Sequence, residues 1–242
     1  MNIDKRRKYF MVFDTETTRI ATDKNNDSPL IYDIGFAVCD KEGTIYESYN
    51  YIVQNIYYSD LMENAFFSNK RPMYDNEIAL GNVEVKSFGQ IIYNMNKVIS
   101  RYPNMTLAAY NLDFDIRALR ATSALTKQKG YNGNIKSVIT GNVEYQDIWG
   151  LAVEAIYLPQ KGYKRFIDKF DFYTPKGNPM TGAEIGYRYI VKDSEFIEDH
   201  TALSDVYIEV EILVHALKQH RKFTKGILPS PWRIVAKALK TE

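Results

Sequence analysis

The run Tyr9-Phe10-Met11-Val12-Phe13 is aromatic, branched and apolar throughout, and it stops at Asp14. Such a run reads as a buried strand. A strand that ends on an acid delivers that acid to the rim of a sheet, and Glu16 follows two residues later. Period-two alternation turns Asp14 and Glu16 to the same face. Two carboxylates held together repel each other unless a cation lies between them, so the pair suits oxygen ligation of Mg²⁺ or Mn²⁺. An exposed acidic pair at a strand end is the competing reading.

Leu30 to Asp40 and Thr44 to Val53 read as two further strands joined by Asp40-Lys41-Glu42-Gly43, whose terminal glycine suits a tight hairpin. Between Tyr57 and Val85 the pattern is mixed, with a short helix around Asp60 to Phe67. Ser87 is placed to cap a helix running through Arg101, because Ile91, Ile92, Met95, Val98 and Ile99 share one helical face. Met105 to Tyr110 reads as another buried strand. Leu112 to about Lys129 reads as a helix with Ile116, Leu119, Ala124 and Leu125 inward.

Val143 to Asp147 is a short strand leading into a helix, Ile148 to Leu158, that Pro159 closes. Gln160 to Pro179, rich in Lys, aromatic residues, Gly and Pro, reads as an exposed loop that offers Lys161, Lys164, Arg165 and Lys169. Thr181 to Tyr189 and His200 to about Lys218 complete the helices. Strands first, then strand–helix alternation, predict an α/β fold: a mixed five-stranded sheet flanked by helices. Residues 1–220 are expected to form this domain and 221–242 a basic C-terminal appendage. There Pro229-Ser230-Pro231 would be a stiff connector, Trp232 the packing anchor and the stretch to Lys240 a short helix.

The 242 residues, 45% hydrophobic and 25% charged, suit one globular domain of this size. A net charge of +1 means that any affinity for nucleic acid must be local rather than a property of the whole surface. One cysteine, Cys39, excludes an intrachain disulfide and a cysteine-rich zinc site, which fits a reducing compartment. Lys5-Arg6-Arg7-Lys8 precede an apolar stretch too short for a signal peptide, and no segment is long enough to span a bilayer. The expected location is cytoplasmic, in the host cytoplasm if the source is viral, with no membrane partner.

Two further acidic elements follow Asp14-Thr15-Glu16-Thr17. In Asn111-Leu112-Asp113-Phe114-Asp115 a strand hands over to a helix, so Asp115 projects from a first helical turn, where the dipole stabilises a carboxylate. Asp113 is the expected cap or solvent-facing acid of that turn. In His200-Thr201-Ala202-Leu203-Ser204-Asp205 a histidine precedes a helix and an acid lies within its first turn. Both could reach one cleft, with small Ala202 allowing close packing.

In this order Asp-x-Glu, Asn-x-x-Phe-Asp and His-x-Ala-x-x-Asp resemble the three motifs of the DEDDh-type 3′-to-5′ exonuclease family, including its bacterial polymerase III proofreading members. The likeness runs from about Tyr9 to Leu217. It implies a ribonuclease-H-like sheet, with Asp14, Glu16, Asp115, Asp205 and His200 as catalytic residues. The four carboxylates would hold two divalent ions, Mg²⁺ or Mn²⁺, and His200 would act as general base. Neighbouring carboxylates are expected to raise the pKa of His200 and favour activity on the alkaline side.

The resemblance further implies hydrolysis of single-stranded or frayed DNA ends to nucleoside 5′-monophosphates. Thr15, Thr17, Asn111, Leu112 and Phe114 would contact the 3′ end. An exoribonuclease acting on RNA or short oligoribonucleotides is the main alternative, and a catalytically silent module binding nucleic acid or a polymerase is the other. A polymerase partner is compatible with the first reading. Two features depart from the family. The first motif continues as Thr17-Thr18-Arg19 where proofreading members have Thr-Thr-Gly, and a polar insertion follows from Ala21 to Ser28. Asp147 resembles a recurrent acidic position of the family but receives no chemical role.

Overall fold

The computed structural model describes residues 3–18, 29–65 and 67–239, and Arg19 and the Ala21–Ser28 insertion lie outside them. The described residues form one mixed sheet: β1 (Tyr9–Thr18), β2 (Leu30–Asp40), β3 (Ile45–Val53), β4 (Glu84–Lys86), β5 (Met105–Ala109) and β6 (Glu144–Asp147). Its order is β4-β3-β2-β1-β5-β6. The antiparallel β1–β2–β3 meander expected from the sequence is present, with β5 parallel to β1 and β6 parallel to β5. The expected five strands are joined by a sixth, β4, at the edge beside β3. Three residues are too few to reveal an alternation, which is why β4 was not visible in the sequence.

Helices cover both faces: α1 (Gln54–Tyr57), α2 (Arg71–Leu80), α3 (Phe88–Arg101), α4 (Leu112–Leu125), α5 (Ile148–Ala152), α6 (Lys161–Phe170), α7 (Ala183–Val191), α8 (Ala202–Leu217) and α9 (Pro231–Leu239). Alternation along β1 divides the interior. Tyr9, Met11 and Phe13 enter one core with α3 and α4, whereas Phe10 and Val12 enter the other with α5, α6 and α8. The predicted cap of α3 forms as a reciprocal box, since Ser87 Oγ accepts the Gln90 N–H while the Gln90 side chain accepts that of Ser87.

Three expectations need correction. Residues 161–170 are helical rather than a loop, because Tyr163, Phe166, Ile167 and Phe170 recur at helical spacing and Tyr163 and Ile167 are buried. On α4 the inward face carries Asp115, Ala118, Leu119, Thr122 and Ser123, so Ala124 and Leu125 face solvent. That face is turned by polar anchoring, as Thr122 Oγ1 accepts the Ile31 N–H at 3.0 Å. Of the two roles expected of Asp113 it takes the solvent-facing one, pairing with Arg117 at 3.2 Å, while Asn111 occupies the cap position of α4. In the C-terminal segment Val235 is fully buried while Trp232 remains 40% exposed, so α9 is anchored by its aliphatic face. Gly226 meanwhile bridges to Gln146 on β6.

Cys39 is buried within β2 as a small apolar residue, and burial pushes its thiol up to about 12. Among the described residues no helix is long and apolar enough to cross a membrane.

Candidate active site

Asp14 and Glu16 lie in the C-terminal half of β1, which continues two residues past Glu16 to Thr18. In the β1–β2 ladder Asp14 stands opposite Gly35 and Glu16 opposite Asp33, so all four occupy one face. Helix α8 packs onto that face. A Cβ at Gly35 would sit 2.4 Å from Leu203 N and 2.5 Å from the Ala202 carbonyl carbon. Only glycine lets the first turn of α8 come this close.

Asp33 fastens the same turn. Its Oδ2 accepts the Ala202 N–H at 3.0 Å and the Tyr74 hydroxyl at 2.8 Å. The start of α8 is thereby fixed over the two β1 carboxylates, and α8 carries Asp205 and, one turn later, Glu209 to the same side. His200 precedes the helix with φ +50°, a left-handed conformation that turns the chain into Thr201, the capping residue.

Asp115 arrives from the opposite side of the cluster. Asp147, at the end of β6, binds two helix starts at once. Its Oδ1 accepts the N–H groups of Asn111 (3.1 Å), Leu112 (3.4 Å) and Trp149 (3.2 Å), and its Oδ2 accepts that of Gly150 (3.2 Å). A carboxylate there satisfies orphan donors of α4 and α5 and complements both dipoles. Helix α4 is thus set so that Asp115 Oδ1 accepts the Thr15 hydroxyl at 2.7 Å.

The result is a concentration of buried negative groups. Asp115 is 1% exposed, Asp205 7% and Glu209 2%. Burial, the leading cause, raises the pKa of Asp14, and repulsion by Glu209, Asp115, Asp205 and Glu16 adds to it. Burial and then Asp205 push Glu16 up to about 9; burial and then Glu198 push Asp205 to about 8; burial takes Asp115 to about 7. Ligand atoms of Glu16, His200 and Asp205 all lie within 4.8 Å of one another. Buried carboxylates gathered without matching cations are costly, and Glu209 Oε2 has no hydrogen-bond partner. An all-oxygen donor set with one adjacent imidazole fits hard divalent cations.

His200 stacks on Phe67, with ring centres 4.7 Å apart and planes 17° from parallel. Its Nδ1 lies 3.7 Å from Glu198 Oε2. Lys70 Nζ donates to the backbone carbonyls of Asp199 and His200. Burial first and Lys70 second lower the pKa of His200, against weaker opposing pulls from Glu184 and Asp199. This reverses the expected upward shift, since the carboxylates seen in sequence act less on the ring than its own burial and one cation do. Phe67 and Lys70 belong to the stretch that gave no clear pattern. It reaches the site because Ala65 bridges to Thr18 at the end of β1.

Asp33, Glu198 and Glu209 were also missed. Asp33 interrupts an otherwise apolar strand, and Glu209 interrupts the apolar face of α8, so a buried-position acid was the available signal in both.

Among the expected substrate contacts, Thr15 is buried and engaged with Asp115, and Leu112 is fully buried in the core. Leu112 therefore lines no cleft. Thr17 and Phe114 are partly covered, and the Arg117 guanidinium lies over the Phe114 ring, 5.6 Å from its centre. Asn111 is exposed and borders a cavity of about 700 Å³ lined by Tyr110, Trp149, Met180 and Trp232. That cavity contains none of the carboxylates. On α6, Lys164 is paired with Asp168 at 3.0 Å.

No family model matches the chain, and no curated protein matches it. Solved structures do. Apo exonuclease I aligns over 94% of this chain and 44% of its own, with 14% identity and a TM-score of 0.55. A product-bound exonuclease I aligns over 85% and 42%, with 14% identity and a TM-score of 0.54. The zinc-bound complex of E. coli exonuclease I with single-stranded DNA aligns over 94% and 42%, with 12% identity and a TM-score of 0.53. The chain spans less than half the length of these proteins. What it shares with exonuclease I is the ribonuclease-H-like fold, a mixed α/β sheet flanked by helices.

Proposed function

We propose that this protein is a metal-dependent 3′-to-5′ exonuclease that removes nucleoside 5′-monophosphates from single-stranded or frayed DNA ends. The observation that carries the reading is that Glu16 of β1 and Asp205 of α8 bring ligand atoms within 4.8 Å of each other and of His200, while the charges of Asp115, Asp205 and Glu16 act on the buried Asp14. The three motifs and the exonuclease I fold support it, as do the single-stranded DNA oligonucleotides present in several of the similar structures.

In this reading the four carboxylates hold divalent ions through their oxygens. Such ions, when bound, supply the positive charge that stabilises the attacking and leaving oxygens of an in-line displacement. His200 accepts the proton of the attacking water at a ring nitrogen, and its lowered pKa keeps the imidazole neutral and ready to do so. Phe67 fixes the plane of the ring. Thr15 orients Asp115, and Asp33 with Tyr74 holds the helix that bears Asp205. Asn111, Thr17 and Phe114, at the rim, are the groups that would meet the terminal nucleotide.

The test is digestion of matched single-stranded DNA and RNA oligomers labelled at the 5′ end, with Mg²⁺, Mn²⁺ or EDTA. The reading expects a ladder that shortens from the 3′ end with metal and is absent with EDTA, with DNA preferred. Faster digestion of RNA would make the enzyme an exoribonuclease, and no cleavage of either strand would refute the proposal.

A further inference from the structure

Glu209 has no place in the three motifs, yet it is the most deeply placed acid on the inner face of α8. It follows Asp205 by four residues, so the two side chains share a face one turn apart. The residue is 2% exposed. The Tyr110 backbone N–H reaches its carboxylate, while Oε2 has no hydrogen-bond partner. No ion pair among the described residues includes it.

Its neighbours are acids. Asp115, Asp205 and Glu198 act on Glu209, and among the charges that act on Asp14 Glu209 is the strongest, ahead of Asp115, Asp205 and Glu16. An unpaired carboxylate oxygen buried against two or three others is unfavourable without a cation, because nothing replaces the hydration it has lost. Glu209 Oε2 is thus buried and unpartnered one turn beyond Asp205 on α8, and Asp205 itself brings a ligand atom within 4.8 Å of Glu16 and His200.

We propose that Glu209 is a fifth carboxylate ligand of the divalent-metal site, binding a Mg²⁺- or Mn²⁺-class ion between β1 and α8 together with Asp14. The proposal rests on the metal-site reading and extends it with a residue particular to the second turn of α8. It makes the site richer in carboxylate than the three motifs require, which favours tight binding of the ion before any nucleic acid arrives.

Calorimetric titration of the full-length, metal-free chain with Mn²⁺ alone tests this without activity as the readout. Wild type is compared with Glu209→Gln, which keeps shape and removes charge, with Glu209→Met, which suits an apolar setting, and with Asp205→Asn. Circular dichroism confirms that each is folded. The proposal expects Mn²⁺ affinity to fall about tenfold or more in both Glu209 variants, on the scale of losses seen when groups supporting a metal site are removed. If Asp205→Asn weakens binding while both Glu209 variants bind like wild type, Glu209 is not a ligand and the metal-site reading stands. If wild type binds no Mn²⁺, the metal-site reading fails and this proposal with it.

Discussion

Gly35 stands directly across the β1–β2 ladder from Asp14, and the volume its side chain would need is filled by the Ala202–Leu203 backbone of α8. The close approach of the helix to the β1 carboxylates is therefore written into one missing Cβ. Gly35→Ala should push α8 away from the sheet, cost about 3 kcal/mol through overpacking, and reduce nuclease activity beyond what the lost stability explains. Urea denaturation alongside single-turnover digestion measures both, and an unchanged rate in the folded variant would argue against this account of how the site is assembled.

Much of this arrangement was legible in the sequence where local pattern and chemistry agree. β2 matches its apolar run from Leu30 to Asp40, and α3 matches its Ser87 box and its apolar face. The alternation of β1 put Asp14 and Glu16 on one face, and the helix starts put Asp115 and Asp205 in the first turns of α4 and α8. What was not legible depends on tertiary placement. Glu209 and Asp33 look like misplaced acids until the helix lies over the sheet. Phe67 and Lys70 sit in a segment with no periodicity. The shift of His200 depends on burial, which spacing cannot report. Lys161 to Phe170 was misread because its charged residues masked a helical spacing of aromatic ones.

Asp147 serves four backbone N–H groups and couples the start of α4 to that of α5. Asp147→Ala should cost about 2 kcal/mol, the upper end for losing a helix cap. It should also lower the turnover rate, because Asp115 rides on α4. Thermal denaturation and digestion rates check the two effects separately.

The acid cluster sets a pH dependence for the metal-free protein. Folded-state pKa values of about 7 for Asp115, 8 for Asp205 and 9 for Glu16 lie above the roughly 4 of unfolded carboxylates. The folded state therefore binds more protons across that interval, and stability falls as pH rises. In EDTA, Tm should drop between about pH 5 and pH 9, and Mn²⁺ should restore it most at the alkaline end. A metal-free Tm that climbs over the same range would contradict the reading of the cluster.

Lys70 helps hold His200 below its ordinary pKa. Lys70→Met should raise that pKa and move the acid limb of the pH–rate profile to higher pH. His200→Ala should reduce the rate about 10²- to 10⁴-fold, as for loss of a general base, while leaving Mn²⁺ binding largely intact. A Lys70→Met profile superimposable on wild type would show that the cation does not act through the imidazole.

The most direct test of the central claim is anomalous diffraction from crystals grown with Mn²⁺. The account predicts two manganese peaks about 3.5 to 4 Å apart, bound by Asp14, Glu16, Asp115 and Asp205 with His200 alongside. An empty carboxylate cluster at saturating Mn²⁺ would contradict it.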